Sequence, residues 1–333
     1  MDAGTTTGYE RFFGSRQAAL FAVLGVFLVY PFLVDNYYID IAFYFGIYAL
    51  LGLSLNIVLG EVGLFDLGHA GFYAIGAYTT AILNTKLGIP ILVLLPVSAI
   101  AAALFAYLVC SPIIHLRGDY LCIVTIGMGE IVRLALINNP FDLTGGPNGV
   151  YGIDFPSFGG PFVIDSSIEY YFLIWIIVAI TILGLTRLQY SRIGRAWNFI
   201  REDEVAAGAS GIDVRYYKLL AFVLGAALAG VAGNIYASKL MAVSPESFSF
   251  WESCMLFCIV LIGGMGSIPG ILIGAAFISL FPEIFRPFAM YRMLIFGLVM
   301  ILMMMFRPGG VWPRKRGTAE FSSLLSRMRK KNA

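Results

Sequence analysis

The chain has 333 residues, 59% of them hydrophobic and 13% charged, with a mean hydropathy of +0.84, whereas soluble domains run at about 45–50% apolar and about 25% charged. That composition excludes a soluble enzyme and describes an integral membrane protein. The net charge of +2 says little, because the side of the membrane on which basic residues fall matters and their sum does not; nucleic acid is not an expected partner.

A spanning helix needs roughly 20 apolar residues. Residues 1–16 read as a cytoplasmic N-terminal segment carrying Arg11 and Arg16. The run 17–34 has the look of a signal peptide but ends in Val34-Asp35-Asn36 without a small-residue cleavage pattern, so it reads as a retained first span. Further apolar runs cover 40–59, 66–84, 88–110, 119–137, 168–188, 218–240, 253–262, 268–285 and 288–306. The expected fold is therefore an all-α polytopic membrane helix bundle of about ten spans, with a transmembrane domain over 17–306 and a basic cytoplasmic tail over 307–333. The 37 glycines suit such a bundle, since small residues let lipid-embedded backbones approach closely. Gly263-Gly264-Met265-Gly266-Ser267-Ile268-Pro269-Gly270 cannot continue a straight helix, so the region 253–285 is either two short spans or one broken helix.

An even number of spans puts both termini on one side. Arg117, Arg187, Arg192, Arg195, Arg201, Arg215 and Lys218 join the basic tail on that side, while Asp142, Asp154, Asp165, Glu169 and Glu246 fall opposite. The positive-inside rule makes the basic side cytoplasmic. An external loop, 138–167, is rich in Gly, Pro and Asn around Thr144-Gly145-Gly146-Pro147-Asn148-Gly149 and implies ordered turns. A cytoplasmic loop, 189–217, combines Ala-rich helical propensity with charge and a glycine stop, so a short helix and a turn are expected there. Gly60-Glu61-Val62-Gly63 in the first half is echoed by Gly263 to Gly270 in the second, the pattern of a duplicated transporter with broken helices.

The chain has no Gly-Lys pair and so no phosphate-binding G-x-x-x-x-G-K-[ST] loop; it does not hydrolyse ATP by that machinery. Glu130 and Arg133 lie three residues apart within a span and are expected to compensate each other as an ion pair. Asp66 and His69 share a face near the inner end of the third span, at a shallow depth where contact with water is expected. Cys254 and Cys258 are one helical turn apart with no His nearby, and with Cys110 and Cys122 they read as small buried hydrophobes. No metal site and no nucleophile constellation can be assembled, which leaves a transporter ahead of a membrane-bound enzyme.

Leu55-Asn56-Ile57-Val58-Leu59-Gly60, followed by Gly63-Leu64-Phe65-Asp66-Leu67-Gly68-His69-Ala70-Gly71-Phe72, resembles the signature of permeases of the branched-chain amino acid ABC importer family. Arg117-Gly118-Asp119-Tyr120, Gly129-Glu130-Ile131-Val132-Arg133, Thr144 to Gly149, Gly194-Arg195-Ala196 and Gly263 to Ser267 are similar too, and the length suits the M (LivM) type.

The resemblance implies an import permease in the bacterial inner membrane, binding no cofactor itself. Its partners would be a homologous permease, two cytoplasmic ATP-binding cassettes that use ATP and Mg, and a periplasmic solute-binding protein. It further implies cassette coupling through Gly194, Arg195, Arg201, Glu204, Ala206, Ala207 and Gly211, a path or gate containing Asn56, Asp66, His69, Glu130, Arg133, Gly264 and Gly266, and docking of the solute-binding protein on Thr144, Gly145, Gly146 and Asn148. One departure stands out: the family motif has Glu directly before the two alanines, and this chain has Val205 there with Glu204 one residue earlier. Urea and short-chain amides remain alternative solutes, and an ion-coupled secondary transporter is the alternative mechanism.

Overall fold

The computed structural model describes residues 30–116, 118–139, 142–157, 163–284, 292–307 and 309–313. The N-terminal segment 1–16, residues 17–29 of the expected first span and the basic tail beyond 313 lie outside the described residues, as does Arg117. The other nine apolar runs all become helices: α1 (Asn36–Leu55), α2 (His69–Leu87), α3 (Ile91–Ile113), α4 (Asp119–Ile137), α5 (Ser167–Tyr190), α8 (Val214–Leu240), α9 (Phe250–Gly263), α10 (Ile268–Ile284) and α11 (Arg292–Phe306). Between α5 and α8 lie two short helices, α6 (Arg192–Glu202) and α7 (Glu204–Ala209). Among the described residues, five helical segments are long and apolar enough to cross a membrane: 36–62, 91–113, 119–137, 167–190 and 214–240.

Three helices form the tightest part of the bundle, and small residues allow it. A Cβ added to Gly76 of α2 would lie 2.4 Å from the Gly230 Cα of α8, and one on Gly230 would lie 2.5 Å from the Ser98 carbonyl of α3. At such contacts backbone meets backbone, which is how helices associate where lipid supplies no hydrophobic driving force. A buried amide fastens the trio: Asn234 Nδ2 donates to Thr80 Oγ1 at 2.9 Å and to the Ile91 carbonyl at 3.2 Å. These contacts run α2 parallel to α8 and α3 antiparallel to both. On the other side of α1, the indole of Trp175 in α5 donates to the Ala42 carbonyl at 3.2 Å, and the Tyr170 hydroxyl reaches the Ser238 carbonyl of α8 at 3.0 Å.

The glycine-rich stretch after α9 is a hairpin turn rather than a break within one helix. Gly263 faces Gly270, and one step farther from the turn Ile259 faces Gly274, so α9 and α10 run antiparallel. The last described residues close the turn. Val311 N donates to the Ile262 carbonyl at 2.8 Å and Trp312 N to the Gly263 carbonyl at 3.1 Å, which satisfies acceptors that a helix C-terminus otherwise leaves orphaned.

The long loops cap opposite ends of α5. One, from 138 to 166, begins with a turn fastened to the end of α4 and pairs Val150–Tyr151 (β1) antiparallel with Ala242–Val243 (β2) after α8. Thr144 Oγ1 donates to the Leu136 carbonyl at 2.7 Å, while Asn139 Oδ1 accepts from the amides of Thr144 and Gly145. The other loop carries α6 and α7.

Candidate functional site

The site begins where α1 loosens. From Asn56 to Val62 its backbone is π-helical and buried throughout, and Gly63 in the left-handed region ends it. Residues 63–68 then lead back into the bundle, so that α2 starts deep beside Ser54 of α1 and Gly225 of α8. Asp66 and His69, expected to meet water, are both 0% exposed, and the structure corrects that expectation. Asp66 Oδ1 accepts from Gly68 N at 2.9 Å, Asp66 Oδ2 lies 3.0 Å from His69 Nδ1, and His69 Nε2 lies 2.6 Å from Ser54 Oγ. Two further hydroxyls close the ring: Thr125 Oγ1 of α4 accepts from Leu67 N and Ser253 Oγ of α9 from Ala70 N. The group has the composition of a hydrolytic triad, but Ser54 is sealed from solvent and its hydroxyl reaches the Leu51 carbonyl at 2.9 Å. Its chemistry is that of a fastener joining α1, α2, α4 and α9 where the chain is not helical.

One turn along, Asn56 Oδ1 accepts from Gly266 N at 2.8 Å, and a Cβ on Gly60 would lie 2.6 Å from that same nitrogen. The two glycine-rich interruptions noted in the sequence therefore press on each other. Gly264, at φ +113, lies under the carbonyls of Trp312 and Gly309. Asn56, Asp66, His69, Gly264 and Gly266 are thus brought into one neighbourhood at the meeting of α1, α2 and the α9–α10 hairpin.

The α6–α7 segment is built from its sequence upward. Ser191 and Asp203 cap the two helices, each accepting two backbone amides. In α6, Gly194, Ala196, Trp197 and Ile200 form the buried stripe, and Trp197 Nε1 donates to the Tyr217 carbonyl of α8 at 2.8 Å. Gly194 is a packing residue, because a Cβ there would lie 2.4 Å from the Gln189 carbonyl. Arg195 is exposed and donates to the Tyr190 carbonyl at 3.2 Å. Two braces tie this segment to the bundle. Arg201 donates to the Gly60 carbonyl, and Glu204 Oε2 lies 2.7 Å from Lys218 Nζ, whose side chain is 2% exposed. Just before the segment, Gln189 Nε2 at the end of α5 reaches Glu61 Oε1 at 2.7 Å. Ala207 is 1% exposed and packed within its own chain, whereas Val205, Ala206, Gly208 and Gly211 face outward.

At the other end, Arg133 Nε donates to Glu130 Oε2 at 2.9 Å, the pair expected from their spacing, and Arg133 Nη1 also reaches Glu246 Oε1 at 3.3 Å. These two residues are near the end of α4 and do not join the Asp66–His69 group. Thr144 and Gly146 are buried, while Gly145 and Asn148 are exposed at the loop tip. Among the described residues no group of three His, Cys, Asp or Glu is placed to hold a metal ion.

Residues 37–304 match the family described as branched-chain amino acid transport system / permease component. The chain belongs to this family. It is 41% identical over 323 residues to the high-affinity branched-chain amino acid transport system permease protein LivM of Escherichia coli K12, covering 90% of this chain and 76% of that one. It is 30% identical over 292 residues to the permease protein BraD of Pseudomonas aeruginosa, covering 80% and 92%. Similarity to LivH of Salmonella typhimurium is 28% over 290 residues, covering 80% and 91%. No solved structure matches.

Several residues of this permease-family site were not singled out in the sequence. Ser54, Ser253 and Thr125 read as ordinary polar residues of apolar helices, and Lys218 as one more cytoplasmic cation. Glu61 leaves a signal, a carboxylate closing an apolar run; Asn56 inside that run is one of the residues the family resemblance places in the path or gate. Their partners lie 128 and 210 positions away, a distance that spacing alone does not bridge.

Proposed function

We propose that the chain is the permease subunit of an ATP-driven importer that carries branched-chain amino acids, or similar small polar solutes, from a soluble binding protein across the bacterial inner membrane. Its partners are a homologous permease and two ATP-binding cassettes, which hold the ATP and Mg. Both termini and the α6–α7 segment are cytoplasmic, on the positive-inside asymmetry, and the Thr144–Asn148 turn faces the binding protein.

The observation that carries this reading is the double brace of α6–α7. A cassette pushing on the exposed Val205, Ala206 and Gly208 moves a rigid, capped pair of helices. Arg201 passes that movement to Gly60 in the π-helical end of α1, and Asn56 passes it to the turn of the α9–α10 hairpin. Glu204 passes it to the base of α8 through Lys218. A π-helical segment is suited to this task because its wider turns are less regular than the α-helix they interrupt, and such bulges occur often at functional sites. Glu204, displaced by one residue from its place in the family motif, works inward in this arrangement and leaves Val205 as the outward side chain.

Cassettes should co-purify with the chain, and leucine uptake should stop on ATP depletion while surviving collapse of the proton gradient. Uptake that follows the proton gradient instead, with no cassette bound, would make the chain a secondary carrier.

A further inference from the structure

Between the middle of α1, the first turns of α2, the last turns of α8 and the start of α9 lies a cavity of about 100 Å³, lined by Tyr44, Ile47, Tyr48, Tyr73, Tyr236, Ser247 and Glu252. None of these residues belongs to the coupling path. Tyr73 and Tyr236 stand with ring centroids 5.4 Å apart, the Tyr48 hydroxyl lies against the Glu252 carboxylate, and that of Tyr236 against Ser247. The neighbouring cations are already engaged. Lys239 Nζ is 2.9 Å from Asp40, and Arg133 is held by Glu130 and Glu246. Among the described residues, no Lys, Arg or His comes within ion-pair distance of Glu252. The result is a carboxylate without a cation, set in a cage of four phenol rings.

We propose that this cavity is a binding site for an ammonium group, –NH3⁺, with Glu252 as its counter-charge and the tyrosines as an aromatic cage. Ring faces attract a cation, and aromatic cages are a recurring way to hold ammonium ligands. A carboxylate half-buried among phenol rings is stabilised by such a partner, because losing part of its water makes its charge more costly. Size selects the group. The cavity is several times the roughly 10–15 Å³ that one water needs and smaller than the about 150 Å³ that admits benzene. It therefore holds an ammonium and the carbon that bears it, with any side chain left outside the cavity. This choice of ligand deepens the amino-acid reading above and rests on it, for the –NH3⁺ belongs either to the α-carbon of a transported amino acid or to free ammonium ion.

The test is calorimetric titration of the full-length chain in lipid nanodiscs with isoamylamine, isovalerate, leucine and ammonium chloride. Isoamylamine should bind and isovalerate should not. Glu252→Gln should weaken amine binding by at least about tenfold, Glu252→Asp, which keeps the charge, should recover part of it, and an unfolding midpoint of Glu252→Gln no lower than that of the wild type shows that the fold survives. Saturation by ammonium chloride at the isoamylamine affinity assigns the site to the free ion, and tighter binding of leucine assigns it to the amino acid. Equal binding of isovalerate, undiminished amine binding by Glu252→Gln, or no amine binding at concentrations up to about 10 mM would overturn the proposal. ATP-driven leucine uptake by the wild type is measured separately, so the site can fail while the importer reading stands.

Discussion

Arg201 of α6 donates its guanidinium hydrogen bond to the backbone carbonyl of Gly60, inside the π-helical end of α1. A peripheral helix is thereby joined to the one segment of α1 whose backbone departs from α-helical geometry. In the proposed importer this is the first step by which cassette movement enters the bundle. Arg201→Ala should leave membrane insertion intact and cut solute uptake several-fold while cassette ATP hydrolysis continues. Equal loss of hydrolysis and uptake would place Arg201 in assembly rather than transmission.

The second brace predicts an asymmetry. Glu204→Gln leaves the buried Lys218 ammonium without its partner and should cost about 3 kcal/mol. Lys218→Met leaves Glu204, whose side chain is 29% exposed, in contact with water, and should cost about 1 kcal/mol or less. Thermal unfolding in detergent compares them, and equal losses would contradict the inward role of Glu204.

Two glycines separate strain from simple crowding. Gly264→Ala places a Cβ at φ +113 and 2.8 Å from the Trp312 carbonyl, so it should destabilise by about 1–3 kcal/mol from backbone strain alone and loosen the hairpin turn. Gly127→Ala in α4 meets nothing within 4 Å and should stabilise by about 0.5–1 kcal/mol. The two melting temperatures should move in opposite directions.

For the pair in α4, the third partner decides the outcome. Glu130→Ala leaves Arg133 with Glu246 and should be nearly silent, whereas Arg133→Ala strips both carboxylates and should lower stability by about 1 kcal/mol. A larger effect from Glu130→Ala would show that Glu246 does not compensate.

Hydropathy located the helices well because burial in lipid writes itself into composition. The runs at 119–137 and 168–188 became α4 and α5 nearly to the residue. It failed at 66–68 because Gly63 to Gly68 is apolar enough to pass as helix, while its direction is set by Thr125 and Ser253, which come from elsewhere in the chain. The spacing of Glu130 and Arg133 foretold their contact, since neighbours on one helix need no tertiary knowledge. The depth of Asp66 and His69 needed all of it. The Ala206-Ala207 dipeptide shows the same divide: its helix was legible, but which alanine faces outward depends on how α7 rests against α8, and the structure turns Ala207 inward.

In the proposed importer, the outward face of α7 receives the cassette. Cassette co-purification and ATP-driven leucine uptake by Ala206→Trp test this, since the substitution places a bulky ring on that exposed face while leaving the buried Ala207 contact untouched. The chain should insert normally, with uptake abolished and the cassettes either released or hydrolysing ATP without transport. Wild-type uptake with cassettes still bound would contradict it.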